Sequence, residues 1–178
     1  MKRKDHPIQV IHEFLKSTKS LLVGDRSESV EGIYALSEPD DIRPLLEAVG
    51  VGRLPQDVEL LFRSHNGVDL GDFWYALAAD DAVELLEDFL EQGDIVNDIS
   101  LGVDGAWPRN WVPFLSWNAD TYGVVCCNSD KAGKILGYSR ASGKLVPWAE
   151  NLAGFFERAV SLFESDGEVN IDLLMGRQ

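Results

Sequence analysis

Thirty acidic residues, three histidines and two adjacent cysteines are the groups of this chain that could do chemistry near neutral pH. The acids are the most ordered of them. Between Arg63 and Arg109 there is no Lys or Arg, and Asp69, Asp72, Asp80, Asp81, Glu84, Glu87, Asp88, Glu91, Asp94, Asp98 and Asp104 fall in that interval. Elsewhere nineteen acids stand against sixteen bases, so most of the net charge of −14 comes from one stretch. That balance argues against a nucleic-acid partner, because phosphate contacts need Lys and Arg. A basic protein is its natural complement.

Carboxylates in pairs, such as Glu87 and Asp88, can act as general acid and base when burial splits their proton affinities. Here they fall on what reads as an exposed helix, where nothing desolvates either one. There is no G-x-S-x-G elbow, no Gly-rich phosphate loop and no H-E-x-x-H pair. His6, His12 and His65 have no second His or Cys at ligand spacing, and His65 reads as a half-buried stripe residue. Asp94 to Pro108 is rich in Asp, Asn and Gly, yet its spacing does not match a calcium loop. It reads as a long irregular connection. Cys126 and Cys127 would point to opposite faces of a strand, so they cannot readily bridge each other or pair on a metal. The expectation is a non-enzyme with no metal and no cofactor.

The elements that position the acids follow from periodicity. Phe73–Leu77 reads as a strand entering the core and leads to a helix over Asp81–Gln92, capped by Asp80 or a neighbour. Ala82, Leu85, Leu86, Phe89 and Leu90 face inward. On the outer face Asp80, Glu84, Glu87, Asp88 and Glu91 recur every three or four residues, so like charges adjoin with no basic residue near in sequence. Such a face is either a solvated surface kept acidic for solubility or a docking face for a basic partner. The partner-binding candidates are therefore Asp80, Asp81, Glu84, Glu87, Asp88, Glu91, Asp94 and Asp98.

The rest of the chain organises around Asn110–Tyr138. Three short strands, Trp111–Ser116, Tyr122–Asn128 and Lys134–Tyr138, are separated by turn residues and should pair as an antiparallel meander. The middle run, Tyr122 to Cys127, has no apolar/polar alternation, so both of its faces should be covered. Helices are expected over Ile8–Leu22; near Ile42–Val49, with Pro44 in the first turn and Gly50 as the stop; from Pro55, with Asn66-Gly67 as a left-handed exit; and from Leu152 to Phe163. Val30–Leu36 reads as extended, Ser139–Lys144 as a polar turn, Val146–Trp148 as extended, and Asp166–Gln178 as a tail. The basic start Met1-Lys2-Arg3-Lys4 is not followed by an uninterrupted apolar run, and no segment reaches the roughly 20 apolar residues of a membrane span. A cytoplasmic protein with buried thiols is the expectation.

Two blocks resemble a known family. Leu54-Pro55-Gln56-Asp57-Val58 through Phe62-Arg63-Ser64-His65-Asn66-Gly67 resembles the L-P-x-D…N-G helix of the SUKH superfamily. Trp111-Val112-Pro113-Phe114, followed by Tyr122-Gly123-Val124-Val125-Cys126-Cys127-Asn128, is similar to that family's W-x-P strand and the core strand after it. The likeness covers about Ser37 to Phe163. The chain departs from the pattern at Ser116-Trp117-Asn118-Ala119-Asp120, where the family has Gly or Asp residues, and in its added amino-terminal helix.

The resemblance implies an α+β fold, a single domain whose small antiparallel sheet is flanked by amphipathic helices. Residues 1–36 would form an amino-terminal helix and lead-in, 37–163 the SUKH-like domain, and 164–178 a tail. It also implies a non-enzymatic role, since bacterial members are similar to immunity proteins that neutralise toxin domains, often nucleases. The motif residues are expected to be fold determinants. The leading expectation is an immunity protein that binds a cognate toxin domain, a basic nuclease being a suitable one, through its acidic surface. The alternative is an intracellular regulatory or scaffold domain without a toxin partner. Neither involves nucleic acid or a membrane.

Overall fold

The computed structural model describes residues 42–64, 67–71, 74–92, 95–98, 103–127 and 132–166. The expected Ile8–Leu22 helix, the Val30–Leu36 segment, His65 and the tail beyond Asp166 lie outside these residues.

Helix α1 spans Arg43–Val49, with Pro44 in its first turn, where a missing N–H leaves no hydrogen bond broken. Gly50 ends it at φ +73°, a conformation that costs a glycine little, and donates to Leu46 O at 3.0 Å. Helix α2 spans Gln56–Ser64, directly after Pro55, and the Glu59 N–H donates to Pro55 O at 2.9 Å. Val58, Leu61 and Phe62 on one stripe are buried. Gly67 follows at φ +78°, the expected left-handed exit.

Strands β1 (Val68–Gly71) and β2 (Trp74–Ala76) form a hairpin that leads into α3, Ala79–Glu91. The helix begins two residues earlier than expected. Its boundary residue is Ala78, which has no capping oxygen; the Asp81 carboxylate instead reaches back to the Ala78 N–H at 3.3 Å. Ala79, Ala82, Leu86 and Phe89 form its buried face, with Leu85 and Leu90 half-buried beside them.

The stretch expected to be an irregular connection is not one. It contains a hairpin of β3 (Ile95–Asp98) and β4 (Val103–Ala106), paired antiparallel with Ile95 opposite Ala106 and Asp98 opposite Val103. Each strand is four residues long and mixes apolar with acidic residues, too short and too polar for periodicity to reveal.

The meander is present as β5 (Trp111–Trp117), β6 (Thr121–Cys126) and β7 (Ile135–Ser139), and β8 (Lys144–Ala149) extends it. With β1 and β2 it makes one antiparallel sheet of six strands in the order β1-β2-β5-β6-β7-β8. Pro113 is tolerated in an interior strand because the register shifts between Pro113 and Leu115. The Phe114 carbonyl at this bulge accepts from the Leu77 N–H at 3.0 Å. Helix α4, Leu152–Asp166, follows β8. The fold is therefore mixed α+β.

Every residue of β6 is buried, which its missing alternation predicted. Register places Tyr122, Val124, Leu136 and Tyr138 on one face. Against them lies Phe89 of α3, its ring 5.1 Å from Tyr122 and 5.7 Å from Tyr138, with Trp107 4.8 Å from Tyr138. On the opposite face Gly123 pairs with Gly137. These two residues without side chains leave a hollow that the Phe114 ring and the Trp148 indole fill. Phe155 of α4 stacks on Trp148 at 5.3 Å and meets Phe114 edge-on at 5.8 Å. The sheet is thus a platform with α3 on one side and α4 on the other.

Candidate functional site

Helix α3 carries six of the eight acids expected to bind a partner. Asp80, Glu84, Glu87 and Glu91 are exposed. Their spacing puts them on one stripe opposite Ala82, Leu86 and Phe89, a line of four carboxylates about 17 Å long at the helical rise. Asp81 and Asp88 are separate from them, both half-buried at the margins of the helix. Asp94 lies outside the described residues. Asp98 ends β3, and its side chain also lies outside the description.

The two marginal acids pin the helix at its ends. At the amino end Asp81 accepts from the Tyr75 hydroxyl at 3.2 Å as well as from the Ala78 N–H. Tyr75 can lie there because residue 67 is glycine, and a Cβ at Gly67 would overlap its hydroxyl. At the carboxyl end Asp88 forms an ion pair with Arg140, Nη1 to Oδ2 at 2.7 Å. The second guanidinium nitrogen donates to Gln92 Oε1 at 2.7 Å, and the Gln92 amide in turn donates to the other Asp88 oxygen. The Arg140 Cζ sits 5.2 Å from the centre of the Phe89 ring. One guanidinium therefore engages three residues of the last turn of α3 and its end.

Arg140 belongs to the turn between β7 and β8, and that turn is itself tied down. Its backbone N–H donates to Asp120 O at 2.8 Å, and the Ala141 N–H donates to Asp120 Oδ1 at 3.1 Å. The turns after β5 and β7 are thus joined at one end of the sheet. Tyr122 adds to this joint by donating its hydroxyl to Ala119 O at 2.7 Å. Burial pushes that hydroxyl's pKa above its ordinary value, while the nearby Arg140 opposes the shift.

No base near in sequence relieves the crowding of acids along α3. Arg140, 52 residues beyond Asp88, relieves it in space. No base occurs in the last turn of α3, so Arg140 is also the cation favoured at a helix carboxyl end. Periodicity could not have found it, because a lone Arg in a polar turn looks like any surface base.

The remaining reactive groups sit elsewhere. Cys126 and Cys127 are buried free thiols. Burial, chiefly, pushes the Cys127 thiol up to about 12, with Cys126 and Asp57 adding to the shift, so it is held as an unreactive thiol. Among the described residues no three His, Cys, Asp or Glu side chains gather as they would around a metal ion. Among the same residues no helix is long and apolar enough to cross a membrane. What the α3 stripe can do chemically is pair with ammonium or guanidinium groups of another molecule.

Among known proteins, no family model matches this chain and no curated sequence matches it.

Proposed function

We propose that the chain is a non-enzymatic, protein-binding domain of the SUKH type, an immunity protein that neutralises a cognate toxin domain in the cytoplasm of the producing cell. The observation that carries the proposal is the exposed stripe of Asp80, Glu84, Glu87 and Glu91 on a helix held at both ends. A rigid acidic face suits a basic protein such as a nuclease toxin. Complementary charge would speed encounter, and a helix already in place would lose little freedom on binding.

The family assignment draws on the residues that carry the resemblance, several of which act here on the fold. Leu54, Val58, Phe62 and Trp111 are buried, Pro55 opens α2, and Gly67 takes a left-handed turn. No basic strip faces outward on α3, which disfavours nucleic acid as the ligand.

The test is to co-express the chain with the toxin domain encoded beside it. Growth should be restored, and the two proteins should purify as a complex. Continued growth arrest with no complex would overturn the proposal in favour of a regulatory or scaffold domain, and a complex without rescue would remove the neutralising role.

A further inference from the structure

We infer that Arg140 is a positioning residue for the acidic face of α3: it fixes the carboxyl half of the helix, and with it Glu87 and Glu91, to the joined turns at the end of the sheet. The inference rests on the binding reading above and adds a residue that lies off the stripe itself.

Three contacts run from the Arg140 guanidinium to the helix end, each to a different residue. Nη1 meets Asp88 Oδ2 at 2.7 Å, Nη2 meets Gln92 Oε1 at 2.7 Å, and the planar group lies over Phe89. Gln92 donates back to Asp88, so Arg140, Asp88 and Gln92 close a ring of hydrogen bonds. Asp88 and Gln92 lie one turn apart, which fixes both the rotation of the last turn and its distance from the β7–β8 turn. The other end of the clamp is rigid as well, because Asp120 holds the Arg140 and Ala141 amides. Phe89 is fully buried, so the guanidinium rests on the core and not on a mobile surface. Lys has a point charge and no planar fork, so it could not satisfy Asp88 and Gln92 together while covering the ring.

Positioning and simple charge balance predict opposite signs. Removing Arg140 makes the face more negative, since it deletes a positive charge and exposes Asp88. If attraction between charges were all that mattered, a basic partner would bind R140M as well as the parent or better. If Arg140 positions the helix, R140M binds more weakly despite its greater negative charge.

The experiment compares R140M, R140K and Q92A with the parent chain in two measurements. The first is amide hydrogen exchange of the free protein. R140M should exchange the Leu90, Glu91 and Gln92 amides about tenfold faster while β6 keeps its protection. The second is binding kinetics with the toxin domain encoded beside the chain. R140M should dissociate on the order of tenfold faster with an association rate equal to or above the parent's. Q92A, which leaves the charge unchanged, should fall between the two, and R140K should resemble R140M.

Unchanged exchange at the end of α3 in R140M would overturn the inference. Faster exchange throughout the sheet would also overturn it, in favour of a general structural role. Tighter binding by R140M would reduce Arg140 to a counter-charge, and parent-like behaviour of R140K would remove the need for the fork. A parent chain that does not bind the toxin domain would defeat the immunity reading, while the exchange measurement still decides the positioning role.

Discussion

The Asp57 carboxylate accepts the backbone N–H of Leu152 at 3.3 Å, so a residue in the first turn of α2 caps the first residue of α4 from 95 positions away. Its other oxygen accepts the Val58 N–H at 3.0 Å, and Asn151 caps the Gly154 N–H at 2.8 Å. Asp57 is thus the Asp of the L-P-x-D block, and its work is to tie two helices together. Replacing it with Ala should destabilise the fold by about 1 kcal/mol, the usual worth of a lost cap. Asp57→Asn keeps an acceptor and should lose less. Urea unfolding followed by tryptophan fluorescence measures both, and an Ala variant as stable as the parent would show that the cap contributes nothing.

Gly137 is needed for a different reason. A Cβ at this position would fall within the Trp148 indole, which Phe155 holds from the other side. Gly137→Ala should cost about 1–3 kcal/mol, as overpacked cores do, and should shift the tryptophan emission as the indole is displaced. Retention of both stability and spectrum would mean that the indole moves freely.

Ala119 adopts φ +52° in the β5–β6 turn, next to Asn118 at φ +49°. Asn tolerates that region, but Ala pays a steric cost there that glycine avoids. Ala119→Gly should therefore stabilise the protein by about 0.5 kcal/mol, the relief of strain being partly offset by the greater freedom of glycine when unfolded. A rise in the denaturant midpoint with an unchanged slope is the expected result.

Reversing Glu84, Glu87 and Glu91 to Lys tests the exposed stripe. All three point to solvent, so each change should alter stability by no more than about 0.5 kcal/mol. Affinity for a basic toxin domain should fall, mainly through slower association. Unchanged affinity would remove the acidic face from the binding mode while leaving the immunity reading standing.

Cys127 sets an alkaline limit. Its folded pKa is raised from the ordinary 9.0 to about 12, so the folded state holds its proton more tightly than the unfolded chain does. The stabilisation is complete below pH 9, where both states are protonated, and is lost as the pH rises from there toward 12. Unfolding midpoints measured across that window should fall, and Cys127→Ala should fall less steeply. Iodoacetamide should label the native thiol only as fast as the protein unfolds.

Much of the local structure was legible in the sequence because it depends on neighbours along the chain. Pro44, Gly50, Pro55 and Gly67 marked the helix limits, and the buried stripes of α2 and α3 repeat at helical spacing. The unbroken apolar run of β6 announced a strand covered on both faces. The β3–β4 hairpin escaped because its strands are short and polar, and β1 went unread because four residues ending in glycine give little pattern.

By itself, the sequence determined where charge is concentrated, which of the described segments are helices, and that a meander forms the centre, since composition and period need no partner to be read. Only the tertiary structure decided which acids remain exposed. Asp81 and Asp88 occur in the same acidic run as Glu84 and Glu87, yet Tyr75 and Arg140 claim them, and these partners come from other elements. The same holds for Asp57, whose second partner lies on α4. Pairings across such distances arise from packing α3 and α4 against opposite faces of one sheet, and a linear pattern carries no record of them.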